Sequence, residues 1–192
     1  GYQKESEKGA ASGYASLDAS TLLPLAELPS HDNTKHDNRT RRLSLDLAAG
    51  YRIDGTGVLS EADGLRRSFV DAEQGTVTWL VPTPADLVAG VYTVYWLWHT
   101  PAAAPGDAYL TIGVGQRGDG GSPGWDLIST AAYAQGAANV LKLSSVGSGT
   151  NEFAVGQKYI CALWRRVAAD ALDTVDDLVY LRAVWIEYTG DM

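Results

Sequence analysis

From Leu43 onward the apolar residues of this chain fall into short runs punctuated by Gly, Asp and Pro. That texture constrains the fold more than any other feature. Leu43-Ser44-Leu45-Asp46-Leu47 alternates strictly, as a strand with one covered face requires. Gly90–Trp98 is β-branched or aromatic apart from Gly90 and Leu97, and such side chains fill a pleated surface well. Ser68–Asp71, Gly75–Val81, Tyr109–Val114, Asn139–Ser144, Lys158–Arg166 and Leu178–Tyr188 also read as strands. Pro82–Gly90 reads as a loop with a helical turn. Val167–Asp177 loses its alternation and is rich in Asp, so it reads as a loop rather than a helix. Turn signals recur roughly every ten to twenty residues, which predicts an all-β, jelly-roll-like antiparallel sandwich.

Faces follow from the period of two. Tyr92, Trp96 and Trp98 share one side of their strand, and Val91, Tyr95 and Leu97 the other. The last run is apolar on both sets, Val179, Leu181, Ala183 and Trp185 against Tyr180, Val184 and Ile186. A strand covered on one face would not look like that. It is expected to be central and covered on both sides, or to meet another subunit with its outer face.

Upstream the texture differs. Residues 1–12 are polar and rich in Gly, Ala and Ser, and read as a flexible or partner-bound arm. Residues 13–42 read as an extended attachment or stalk segment, and residues 43–192 as the sandwich head. Within the segment, Leu17, Leu22, Leu23, Leu25 and Leu28 follow no steady period, and Pro24 and Pro29 interrupt any regular element. Leucines that cannot pack on their own segment need cover from elsewhere, most simply from other copies.

The stretch Gly13-Tyr14-Ala15-Ser16-Leu17-Asp18 through Pro24-Leu25-Ala26-Glu27-Leu28-Pro29 resembles a segment that recurs in bacteriophage tail-fibre and other virion proteins. The C-terminal part resembles a sandwich module often found after it. Trp79, Val81, Pro82, Pro84, Asp86, Gly90, Tyr92 and Trp96 carry that second resemblance. So do Trp164, Arg165, Arg166, Asp170, Asp173, Thr174, Asp177, Tyr180, Leu181 and Ile186–Tyr188. The resemblance implies a non-enzymatic virion structural protein on the particle surface, a homotrimer whose leucine segment assembles it and joins other virion proteins. It implies an outward-projecting head in a tail-fibre, receptor-binding, head-fibre or capsid-decorating role.

Composition narrows the field. A formal charge of −8 opposes nucleic-acid binding, which rests on neutralised phosphates. The basic cluster Arg39, Arg41 and Arg42 lacks interleaved aromatics and reads as a solvated or subunit-bridging strip. Apolar runs fall short of the roughly 18 residues of a membrane helix, and charged Lys4, Glu5, Glu7 and Lys8 occupy the place of a secretory core. With Gly1 first, the chain reads as processed or as a piece of a longer protein. Cys161, the one cysteine, reads as a buried small hydrophobe.

Candidate chemistry is sparse. No nucleophile elbow, zinc-protease helix or phosphate loop is present, so no enzyme and no cofactor is expected. His31 and His36 are weak metal candidates, able to meet their symmetry mates on a three-fold axis. Asp170, Asp173, Asp176 and Asp177 lack the spacing of a calcium loop. His99 reads as a strand-end residue, and Arg117-Gly118-Asp119 as turn chemistry. With six Trp in the chain, the alternative to the virion reading is a carbohydrate-binding module. Trp125, in Gly124-Trp125-Asp126, is the expected ligand-facing aromatic for a host-surface glycan.

Overall fold

The computed structural model describes residues 39–54, 58–60, 65–71, 73–101, 106–119, 126–135 and 137–191. They belong to the second of the two units, Gly1–Asp37 and Asn38–Met192, into which the chain divides. The assembly leucines Leu17, Leu22, Leu23, Leu25 and Leu28, with His31, His36 and Trp125, lie outside the described residues.

The second unit is the expected antiparallel β-sandwich. Its strands are β1 (Arg39–Leu45), β2 (Tyr51–Asp54), β3 (Val58–Ser60), β4 (Arg66–Phe69), β5 (Gly75–Pro82) and β6 (Gly90–His99). They continue with β7 (Asp107–Arg117), β8 (Asp126–Ala134), β9 (Lys142–Phe153), β10 (Tyr159–Arg166) and β11 (Val179–Gly190). A front sheet runs β3-β4-β11-β6-β9, with β1 pairing the same edge of β11 as β4 but further along. The back sheet runs β2-β5-β10-β7-β8. Strand β1 begins at Arg39, so the basic cluster lies in the sheet.

The core is the interdigitation of two inner faces. Tyr92, Val94, Trp96 and Trp98 of β6 face Val77 and Trp79 of β5, Leu110 and Ile112 of β7, and Ile160 and Trp164 of β10. Each such side chain contributes roughly 1.5–3 kcal/mol on leaving water.

The doubly apolar texture of β11 has a different cause from either expectation. Pairing of β11 with β6 slips between Leu181↔Trp98 and Ala183↔Leu97, so Arg182 is an extra residue. Such a bulge inverts the facing of everything beyond it. Val179 and Leu181 point inward before it, and Val184, Ile186 and Tyr188 after it. Tyr180, Ala183, Trp185 and Glu187 are therefore the partly exposed outer set. The two apolar sets are one inner face read across a change of phase.

Arg166 fixes the approach to β11. Its guanidinium is fully buried at the end of β10. Nη2 and Nε donate to Asp173 Oδ1 and Oδ2 at 2.8 and 3.0 Å. Nη2 also reaches Asp71 Oδ1 at 3.2 Å. Nη1 donates to the carbonyls of Asp177 at 2.6 Å and Phe69 at 3.2 Å. One side chain thus ties β10 in the back sheet to β4 in the front sheet and to the loop feeding β11. Asp173 also accepts from the Tyr109 amide at 3.1 Å.

Breaking a buried ion pair strands the surviving charge. Arg166→Met should lower the unfolding free energy by about 3–5 kcal/mol, read from urea denaturation. A loss below about 1 kcal/mol would mean that the knot is peripheral.

Candidate functional site

Beyond the bulge, the outer face of the front sheet brings β1, β11 and β6 into register. Ser44, Trp185 and Tyr95 form one row, and Arg42, Glu187 and Thr93 the next. Thr40 lies opposite Thr189 in the row after that. On β1, Leu43 and Leu45 turn to the core, so Thr40, Arg42 and Ser44 point outward by alternation.

Trp185 stands between its neighbours. The Tyr95 ring lies nearly parallel to it, with centroids 5.4 Å apart and planes 6° off. From the flanking strand on the other side, the Arg42 guanidinium carbon sits 4.6 Å from the Trp185 centroid. Arg42 Nη2 also donates to Glu187 Oε1 at 3.1 Å, and Trp185 Nε1 donates to the same oxygen at 3.3 Å. Glu187 Oε2 has no partner among the described residues.

Beside this group is a cavity of about 210 Å³ lined by Thr40, Val91, Tyr92, Thr93, Glu187, Tyr188 and Thr189. Its lining includes Thr40, Thr93 and Thr189, whose hydroxyls can donate or accept, and Glu187. Val91, 57% exposed, gives it an apolar wall. On the inner-facing side of the same strand ends, Tyr188 Oη donates to Asp86 Oδ1 at 3.0 Å, and Arg41 Nε meets Asp86 Oδ2 at 3.3 Å. Burial, then the Asp86 carboxylate, pushes the Tyr188 phenol up to about 12.

His99 ends β6, as expected. Its Nε2 accepts from Arg182 Nε at 3.1 Å, and its ring lies 4.9 Å from Tyr180, over which Arg66 is stacked. Burial first, then the Arg182 and Arg66 charges, lowers the His99 pKa below 6.5.

Cys161 is free and buried. Asp119 of the Arg-Gly-Asp tripeptide is ion-paired to Lys158. The Asp cluster does not converge: Asp173 serves Arg166, Asp170 Oδ1 accepts from the Leu172 amide at 2.9 Å, and Asp177 Oδ1 from that of Leu178 at 2.7 Å. Among the described residues no group of three or more His, Cys, Asp or Glu is placed to hold a metal ion. Sequence reasoning missed Trp185, Glu187 and Arg42 as a group. The carboxylate at Glu187, two residues past an aromatic in an otherwise apolar strand, was the available sign of an outward face.

No family model matches the chain, and no curated protein matches it. Among solved structures, a family 35 carbohydrate binding module from Clostridium thermocellum is similar with a TM-score of 0.49 and 10% identity, over 76% of this chain and 97% of that one. A xylan-binding module, CBM15, gives 0.47 and 14% over 80% and 100%. The CBM22-1 xylan-binding domain of Paenibacillus barcinonensis Xyn10C gives 0.46 and 14% over 78% and 94%. Likeness this distant transfers no function.

The His99 environment makes stability depend on pH. The folded state takes up the proton less readily than the unfolded chain, so the stabilisation is present above pH 6.5 and is lost as pH falls through the lowered folded value. Thermal melts should show a midpoint that falls on acidification below 6.5, with a shallower fall in His99→Gln. Equal slopes in the two proteins would contradict this.

Proposed function

We propose that the sandwich is a non-enzymatic recognition head that takes a neutral saccharide on the outer face of its front sheet. The observation that carries this is the cavity of about 210 Å³ lined by three threonines, Val91 and Glu187, whose Oε2 has no partner among the described residues, one row from Trp185. Vicinal sugar hydroxyls are donors and acceptors at once, and such a set can satisfy both roles. The net charge of −8 and the commitment of Arg42 to Glu187 disfavour anionic sugars. Glu187, the carboxylate that lines the cavity, is held in an ion pair with Arg42, an arrangement suited to binding rather than to bond cleavage.

The test is a glycan array probed with the full chain, followed by calorimetry on the best ligand. A hydrogen bond to a charged group is worth about 1.5–3 kcal/mol, so Glu187→Ala should weaken binding by roughly ten- to a hundred-fold. Thr93→Val should weaken it by about five-fold. Undiminished affinity in both variants, or release of reducing sugar, would refute the assignment.

The leucine segment supports a second element of the reading. The head is carried on a phage-type virion as a homotrimer, with Leu17, Leu22, Leu23, Leu25 and Leu28 buried between copies or in a virion socket. Light scattering should then give a trimer for the full chain. The triple change of Leu22, Leu23 and Leu25 to Ser should give a monomer with unchanged sandwich circular dichroism. Trimers surviving the triple change at micromolar concentration would count against it.

A further inference from the structure

Taking the front-sheet saccharide site as its premise, we infer that Arg42 is a displaceable cap on Trp185, and that ligand entry swings it aside. A sugar ring stacks on an aromatic through a free face, and among the described residues Trp185 is flanked by Tyr95 and Arg42, from the strands on its two sides. The two covers are unequal. Tyr95 is a half-buried residue of the central strand β6, its ring parallel to the indole. Arg42 is on β1, its side chain is 58% exposed, and among the described residues its one polar tie is the bond to Glu187 Oε1.

Releasing Arg42 changes two things in one movement. It bares an indole face, and it frees Glu187 Oε1 from its guanidinium partner, so that both carboxylate oxygens can accept ligand hydroxyls. Stacking surface and hydrogen-bond acceptor are therefore exposed together, beside the threonine-lined cavity. The cap also shields Trp185 in the free protein, on a face that carries Leu143 at 56% and Val91 at 57% exposure.

The experiment titrates the full chain and Arg42→Ala with cellohexaose, xylohexaose and chitohexaose, following tryptophan fluorescence and calorimetry. Removing the cap should tighten binding by roughly three- to ten-fold, the range set by an exposed cation–π contact and a surface ion pair. Arg42→Lys should fall between the two. Raising salt from about 0.01 to 1 M, which screens the exposed pair, should tighten the parent protein and leave Arg42→Ala unchanged. Weaker binding by Arg42→Ala would make Arg42 a ligand contact and overturn the cap while leaving the saccharide site standing. Binding of none of the three sugars by either protein would overturn the site reading and the cap with it. An Arg42→Ala melting curve matching the parent's assigns the affinity change to the face rather than to unfolding.

Discussion

The single extra residue at Arg182 is the constraint on which the candidate site depends. Without the bulge, Trp185 and Glu187 would share a face with Leu181 and turn into the core, carrying a carboxylate between two layers of tryptophan. An unpaired charge there would cost far more than the bulge does. With it, Val184, Ile186 and Tyr188 take the inner positions and the polar pair goes outside. The bulge is held at its own position: Arg182 Nε donates to His99 at 3.1 Å, and His99 sits opposite Tyr180 across the ladder. Upstream, the buried Arg166 guanidinium fixes where the chain enters β11. Its acceptors come from β4 of the front sheet and from the loop that leads into β11.

The two outer faces of β6 and β11 then acquire their chemistry from pairing rather than from sequence proximity. Arg42, Thr93 and Glu187 are far apart along the chain and adjacent in one row of the sheet. They bring together a stacked indole, a carboxylate shared by Arg42 and Trp185, and neighbouring threonines. The other tryptophans of β6 and β10, Trp96, Trp98 and Trp164, are fully buried and serve packing. Burial and ring geometry, rather than the number of tryptophans, decide which of them can meet a ligand.

Much of the fold was legible because strands with one covered face announce themselves. β5, β6, β7, β10 and β11 appeared where alternation or aromatic content was strong. Tyr51–Asp54 and Val58–Ser60 are too short to display a period, and Asp126–Ala134 is dominated by Ala, Ser and Thr, which carry little apolar contrast. β9 runs well past the expected Asn139–Ser144, to Phe153, through a Ser/Gly-rich stretch without a hydrophobic pattern. The site itself was not legible. A bulge leaves no mark in composition, and a three-strand juxtaposition exists only after the register is set. The leucine segment, by contrast, was conspicuous in sequence and lies outside the described residues.

The most direct check on the central claim is a two-dimensional NMR titration of the full chain with the best-binding neutral oligosaccharide. The account predicts saturable shifts of the Trp185 indole N–H and of the Thr93, Glu187 and Thr189 amides, with the buried Trp96 and Trp164 indoles unmoved. Saturable shifts confined to the loops at the ends of the sandwich or to the back sheet, with Trp185 silent, would contradict it.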